Sequence, residues 1–236
     1  MRHTLLALSL LALGLGAMAQ DPLYQPTDMP NAVRFLPPPP APGSAAFAYD
    51  STQYLWGKAQ RADSARLAIA KRDAVWGVET ICREFGQAMG LTLSEQNTPA
   101  IYKLLSIGLI STDQVGKVPK DHYMRTRPYV YFDESTIAPG DEEELRHNGS
   151  YPSGHTILGW SAALILTEVA PEHADTILAR GYMYGQSRVI AGYHWQSDVD
   201  AGRLAASAAV ARLHADKGFR RLLDKARREY RRKTRN

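Results

Sequence analysis

The chain has 236 residues, of which 44% are hydrophobic and 22% charged, and its formal net charge is +4. This length is sufficient for one domain with a sizeable core. Because Cys82 is the single cysteine, an intramolecular disulfide is excluded.

The first residues have the features of an export signal. Arg2 precedes an apolar run, and Ala17-Met18-Ala19 offers a small-x-small cleavage site. The alternative is a membrane anchor, but the run is shorter than the about 20 residues that span a bilayer. We therefore predict a signal peptide at residues 1–19, cleavage after Ala19, and a periplasmic or secreted protein without a membrane span.

The next segment, residues 20–45, is rich in proline and includes the run Pro37 to Pro40. Proline disfavours a helix or a central strand, so the segment is expected to be an extended arm packed on the domain. The alternative is a disordered leader. The domain itself is predicted to cover residues 46–236.

Most of the remaining sequence has a helical pattern. Apolar residues recur at spacings of three and four from Ala45 to Gly90, which predicts two or three helices. Another helix is expected from Ser94–Asn97 toward Gly116, with a kink or restart because Pro119 follows. Alternating strand patterns are not convincing anywhere, so the predicted fold class is all-α, as a single-domain helical bundle.

The second half continues this pattern after an acidic connection at residues 129–151. A short helix is expected there from Asp141 to Arg146. Further helices are predicted from Pro152, from Pro171 to Arg188, and through His194 toward the C-terminus. Small residues at 201, 202, 205 and 206 would allow that last helix to pack closely on a neighbour.

The segment from Gly185 to Arg203 carries the densest chemistry. His194 and Asp198 are four residues apart, and on a helix this spacing would let the carboxylate bind one ring nitrogen and leave the other free. Arg188 adds a planar set of donors suited to a phosphate or a carboxylate. By itself, such a pair is more often a surface histidine with a helical partner.

Two other stretches supply groups for an anion. Pro152 would occupy the first turn of a helix, whose free N–H groups at Ser153, Gly154 and His155 would form an anion site. Lys120 and Arg127, seven residues apart, add two cations. Individually these features are ordinary: a cap in the first case and solvated cations in the second.

In order, the three stretches read K-x6-R-P, P-S-G-H and S-R-x5-H-x3-D. This series resembles the signature of the phosphatidic acid phosphatase type 2 superfamily, which also includes vanadium-dependent haloperoxidases. The sequence around these motifs is similar to that of the class A bacterial non-specific acid phosphatases. The similar stretches include HNGSYPSGHT, GQSRVIAGYHWQSDVDAGR and YMRTRPY. The resemblance extends from about Leu36 to the C-terminal helix.

The resemblance implies hydrolysis of phosphate monoesters, including general organic phosphates or nucleotides, without a metal or other cofactor. It implies that His194 attacks phosphorus, that Asp198 orients the His194 ring, and that His155 protonates the leaving group. The implied phosphate-binding groups are Lys120, Arg127, Ser153, Gly154 and Arg188.

The sequence departs from the family pattern at two points. Pro119 directly precedes Lys120, so that Lys117 is an alternative to it as the phosphate ligand. Members of the family often pair two cysteines where this chain has Ile137 and Ala191. Without that disulfide, packing alone is expected to hold residues 129 to 150.

The basic C-terminal segment, residues 219 to 236, has nine Lys or Arg against two acids. We interpret it as a solvated helix end that frays, so no nucleic-acid partner is predicted despite the sequence pI of 9.1. The oligomeric state stays open, a homodimer included. Two alternative functions remain: a vanadium-dependent haloperoxidase, and an envelope-binding protein with a degenerate site.

Overall fold

The computed structural model describes residues 24–235, and the predicted signal peptide, residues 1–19, lies outside them. All regular structure in this range is helical, which confirms the all-α prediction. The α-helices are α1 (Ala32–Phe35), α2 (Ala45–Ala59), α3 (Ser64–Asp73), α4 (Val78–Gly86), α5 (Pro99–Asp113), α6 (Lys117–Tyr123), α7 (Pro128–Tyr131), α8 (Glu142–Arg146), α9 (Gly154–Val169), α10 (Ala174–Ala191), α11 (Gln196–His214) and α12 (Lys217–Lys233). No helix of the described range has the length and apolar character to cross a membrane.

Helix α9 lies at the centre of the bundle. Its sequence is apolar on nearly every side, which favours burial all round, and it packs against α5, α10 and α11. At the crossing with α11, a Cβ atom on Gly202 would lie 2.9 Å from the Ser153 carbonyl oxygen and from the Thr156 Cβ. The close approach predicted for the small residues of α11 is therefore present, and it places the first turn of α11 beside the first turn of α9.

Two helix starts differ from the predictions. Helix α9 begins at Gly154 with Ser153 as its N-cap, so Pro152 precedes the helix rather than occupying its first turn. The Tyr151–Pro152 peptide bond is cis. Helix α11 begins at Gln196 with Trp195 as N-cap, so His194 also lies just before its helix. Both predicted site segments are thus loop-to-helix junctions.

The break predicted near Pro119 is present. Helix α5 ends at Asp113, a 3₁₀ turn covers Gln114–Gly116, and α6 starts at Lys117. Pro119 is the third residue of α6, where a backbone N–H would have no intrahelical partner. The proline therefore fits this short helix and sets the position of Lys120 one residue later.

The proline-rich arm packs on the domain, as predicted, although it is not wholly extended. It contains a 3₁₀ turn at Pro26–Asp28 and the short helix α1. Tyr24 and Leu36 are buried, and the Tyr151 hydroxyl donates to the Pro37 carbonyl at 2.6 Å. Local turns are compatible with the prolines because these lie at the first positions of a turn or outside it.

The predicted fraying of the C-terminal segment is wrong. Helix α12 continues to Lys233 and buries Phe219, Leu223 and Tyr230 against the bundle. The buried carboxylate of Glu229 accepts from the Ala100 and Ile101 N–H groups at 2.9 and 3.0 Å, which caps the start of α5. Although the segment is strongly basic, its apolar residues lie on one face of α12, and their burial holds the helix against the bundle.

Candidate active site

A pocket of about 400 Å³ lies where α6, α9 and α10 meet the connection before α9. Six of the eight residues predicted for the site line it: Lys120, Arg127, Gly154, His155, Arg188 and His194. Asp198 lies behind His194, and Ser153 is buried in the N-cap of α9. The tertiary structure thus brings together three sequence segments that span almost eighty residues.

His194 is buried, with Asp198 and Ser150 at one ring nitrogen and the donor Arg127 at the other. Its Nδ1 lies 3.3 Å from Oδ2 of Asp198, and its Nε2 lies 3.2 Å from Nη1 of Arg127. A guanidinium nitrogen can only donate, so we assign the hydrogen to Nδ1 and the lone pair to Nε2. Burial, followed by the charge of Arg127, lowers the pKa of His194 well below its usual value. The neutral form of this imidazole is therefore favoured, and its Nε2 lone pair lies at the pocket.

Asp198 is held by its place in the first turn of α11. Its Oδ2 accepts from the Trp195 N–H at 2.9 Å and from the Ser150 hydroxyl. The contact with His194 therefore arises from capping geometry, and not from two side chains on one helical face. Burial opposes ionisation of Asp198, but Arg125 and hydrogen bonds from His194 and Ser150 lower its pKa overall.

Arg125 and Ser150 are partners of Asp198 that no motif in the sequence indicated, and Asp50 supports Arg125 from behind. Arg125 Nη1 lies 2.5 Å from Oδ1 of Asp198, and Nη2 lies 2.7 Å from Oδ2 of Asp50. Asp50 also accepts from the Ser197 N–H at 2.8 Å. Arg125 stands in the quoted stretch YMRTRPY, but no spacing rule links it to α2 or α11, so only the fold reveals this network.

Arg188 and Arg127 both bring positive charge to the pocket, but they differ in how many of their N–H groups are hydrogen-bonded. Arg188 is 1% exposed, and within residues 24–235 its Nε and Nη1 have no hydrogen-bond partner. Its guanidinium stacks over the Tyr193 ring at 4.6 Å. Arg127 donates to the carbonyls of Leu145 and Tyr193. Because buried donors are rarely left unpaired, the free edge of Arg188 indicates a site for an anionic ligand.

Two lysines line the same pocket, and they differ in environment. Lys120 Nζ donates to the Gly149 carbonyl at 2.8 Å, and burial followed by repulsion from Arg127 lowers its pKa to about 7. Lys117 is 49% exposed and pairs with Asp113 at 2.7 Å. Lys117 is therefore already paired with a carboxylate, whereas Lys120 forms no ion pair within residues 24–235.

His155 lies in the first turn of α9, with its ring against Trp76 at a centroid distance of 4.8 Å. Its Nε2 lies 3.1 Å from the Ala74 carbonyl oxygen. Since that oxygen can only accept, Nε2 carries the hydrogen and Nδ1 is the nitrogen that can exchange a proton. Burial, followed by the charge of Arg188, lowers the pKa of His155 well below its usual value.

The predicted anion site at the start of α9 is only partly available. The Ser153 N–H donates to the Asp198 carbonyl at 2.9 Å, and the Ser153 hydroxyl accepts from Thr156. The prediction of a free N–H at Ser153 is therefore wrong, because the N-cap is used to join α9 to α11. Gly154 and His155, the first two helical residues, line the pocket and retain N–H groups without an intrahelical acceptor.

The connection of residues 129 to 150 is held without a disulfide, although not by packing alone as predicted. The Ile137 N–H donates to the Ala191 carbonyl at 3.2 Å, so the two positions named for the missing cysteines are neighbours. The Tyr129 hydroxyl donates to the Glu142 carbonyl at 2.6 Å. Cys82 lies elsewhere, buried in α4, where burial raises its thiol pKa to about 12.

Comparison with known proteins identifies the same region of the chain. Residues 101–221 match the PAP2 superfamily. A non-specific acid phosphatase of Providencia stuartii is 43% identical over 201 residues, covering 85% of this chain and 81% of the relative. A non-specific acid phosphatase of Salmonella typhimurium is 42% identical over 210 residues, covering 89% and 84%. An acid phosphatase of Zymomonas mobilis is 40% identical over 196 residues, covering 83% and 74%.

Proposed function

The chain belongs to the PAP2 superfamily, and we propose that it is an acid phosphatase that hydrolyses phosphate monoesters through a phosphohistidine. The observation that carries this proposal is the free edge of Arg188, with its Nε and Nη1 unpaired within residues 24–235, in the pocket that His194 lines. Unpaired buried donors beside a neutral imidazole suit a tetrahedral anion that is to be attacked.

The phosphoryl group binds to fixed donors. Arg188, Arg127 and Lys120 supply positive charge, and the N–H groups of Gly154 and His155 supply the partial charge of a helix N-terminus. These groups stabilise the charge on the equatorial oxygens of the transition state. We infer that no metal or other cofactor is required, because these cations perform the role of charge neutralisation.

In the first chemical step, Nε2 of His194 attacks phosphorus and the bond from phosphorus to the ester oxygen breaks. The electron pair of that bond leaves with the oxygen, which takes a proton from Nδ1 of His155. Asp198 stabilises the imidazolium that forms on His194, since its carboxylate lies 3.3 Å from Nδ1. Burial and then the charge of Arg188 lower the pKa of His155 in the free enzyme, and the negative charge of bound phosphate raises it again, which favours the protonated form in the complex.

In the second step, water attacks the phosphohistidine with His155 as the base. The P–N bond breaks, its electron pair returns to Nε2, and inorganic phosphate leaves. Both histidines hold defined and different protonation states at the start of each step. We therefore expect a bell-shaped rate profile on the acid side of neutrality.

We also infer that residues 1–19 direct export and that the mature enzyme acts in the periplasm or outside the cell. The inference depends on Arg2, the apolar run and the Ala17-Met18-Ala19 site. The residues named for the site converge on one pocket, which argues against an envelope-binding protein with a degenerate site. The names of the relatives favour phosphatase activity over the haloperoxidase alternative.

The direct test is to trap the intermediate. Purified enzyme mixed with ³²P-labelled p-nitrophenyl phosphate and quenched within milliseconds should retain label that is stable in base and released by acid. His194→Ala should retain none, and EDTA should leave turnover unchanged. Absence of label in the wild-type enzyme during measurable turnover, or loss of activity with EDTA, would contradict the proposed mechanism.

A further inference from the structure

The floor of the pocket, formed by Lys120, Arg127 and Arg188, is basic, whereas its exposed mouth is acidic. Besides the phosphate-binding residues, the pocket is lined by the carboxylates of Asp113, Asp121, Asp141 and Glu144. Asp113 is paired with Lys117 at 2.7 Å. The other three are exposed and form no hydrogen bond or ion pair with another side chain of residues 24–235. The mouth therefore carries negative charge that the protein leaves uncompensated.

The floor, by contrast, is matched to a single phosphoryl group. Arg127 and Arg188 provide two permanent positive charges, and Lys120 adds a third in its protonated form. One monoester dianion satisfies most of that charge and occupies the unpaired donors of Arg188. A second negative group on the same substrate would have to lie farther out, among the three free carboxylates.

The segment that carries two of these carboxylates is anchored. The Tyr129 hydroxyl donates to the Glu142 carbonyl at 2.6 Å, and Oε1 of Glu142 accepts from the Thr136 N–H at 2.6 Å. Asp141 and Glu144 lie on either side of Glu142, at the start of α8. Their negative charge is consequently held at the mouth by the fold.

We propose that Asp121, Asp141 and Glu144 select monoesters whose leaving group carries no second negative charge, and that they favour leaving groups bearing an ammonium. This inference rests on the proposed phosphatase function and names its substrate class. The phosphoryl group binds at the cationic floor, and the leaving group extends past Trp76 toward the carboxylates. Like charges across the mouth repel, and opposite charges attract.

The test compares three monoesters that differ in the charge of the leaving group: O-phosphorylethanolamine, glycerol 2-phosphate and 3-phosphoglycerate. Phosphate release gives kcat/KM for each with the wild-type enzyme and with Asp141→Asn/Glu144→Gln. Because the three alcohols differ in intrinsic reactivity, the informative quantity is the ratio of variant to wild type for each substrate. The matched control is Glu143→Gln, since Glu143 is on the same helix, 85% exposed, and outside the pocket lining.

We expect the double variant to raise kcat/KM for 3-phosphoglycerate at least about fivefold, to lower it for phosphorylethanolamine by a similar factor, and to leave glycerol 2-phosphate within about twofold. Added salt should shrink these differences in the wild-type enzyme. Glu143→Gln should resemble the wild type. Equal changes for all three substrates, or no change, would overturn the selectivity proposal while leaving phosphatase activity intact. Absence of phosphate release from every substrate would instead contradict the proposed function.

Discussion

Arg125 Nη1 lies 2.5 Å from Oδ1 of Asp198, while Nη2 of the same guanidinium lies 2.7 Å from Oδ2 of Asp50. One buried arginine thus joins α2 to the carboxylate that contacts His194. Arg125 does not line the pocket, so it is a positioning residue that acts through Asp198. Because Arg125 gives one nitrogen to each of two carboxylates, it ties Asp198 to Asp50 and favours the ionised form of Asp198.

Arg125→Lys should therefore lower kcat about 10- to 100-fold. It should leave KM within about threefold, because Arg125 orients Asp198 without lining the pocket where substrate binds. Lysine can reach only one of the two carboxylates. Because lysine keeps the charge but cannot be held at both carboxylates, that charge is less well fixed beside Asp198. The pKa of Asp198 should therefore rise, and the acid limb of the kcat profile should move to higher pH. Steady-state kinetics between pH 4 and 8 measure both effects.

The control for that variant is Arg203→Lys, since Arg203 is a largely buried arginine of α11 paired with Asp200 and outside the pocket. It should leave kcat and its pH profile unchanged. A reduced kcat for Arg125→Lys without any movement of the acid limb would indicate general destabilisation and refute the positioning role.

His155→Ala should affect substrates according to the basicity of their leaving group. Alkyl phosphates need a proton on the departing oxygen, so kcat should fall about 10²- to 10⁴-fold. Nitrophenolate departs without a proton, so the loss for p-nitrophenyl phosphate should be at least about tenfold smaller. His122→Ala, an exposed histidine outside the pocket, is the control. Equal losses for both substrate types would exclude His155 as the acid.

Lys120 should make anion binding depend on pH. Its pKa is lowered to about 7 by burial and Arg127, against smaller opposing effects of Asp198 and Asp113. Lys120 is therefore charged below pH 7 and neutral above it. Inhibition by sulfate, whose own charge is constant between pH 6 and 9, should weaken as pH rises through 7.

Lys120→Met should raise the inhibition constant of sulfate at pH 6 about tenfold and remove most of its dependence on pH. Lys117→Met should change that constant less than about threefold, because Lys117 is half exposed and paired with Asp113. The reverse order of effects would assign the phosphate-binding role to Lys117.

Glu229 should contribute to stability and not to catalysis. Its carboxylate accepts from the N–H groups of Ala100 and Ile101 at the buried start of α5. Glu229→Ala should lower the free energy of unfolding by about 1–3 kcal/mol, the cost of leaving such donors unpaired. Asp224→Ala, at an exposed position of α12, should change it by less than about 0.5 kcal/mol. Urea denaturation of the two variants decides whether α12 is an integral part of the bundle.

The sequence by itself determined the helical class, the break near Pro119, and the family to which the chain belongs. These features follow from local periodicity, from the restrictions of proline and from motifs of contiguous residues. It also identified six residues that line one pocket. Local patterns carry this information because the residues of each motif are close together along the chain, within one helix start or between two consecutive helices.

The tertiary structure alone decided how those motifs are used. The Ser153 N–H is taken by the Asp198 carbonyl because Gly202 lets α11 cross close to α9. Arg125 contacts Asp198, and Asp50 contacts Arg125, from positions far away in sequence, so no local spacing could reveal them. Hydrogen-bond partners and burial depend on which helices pack together, and this depends on the whole chain.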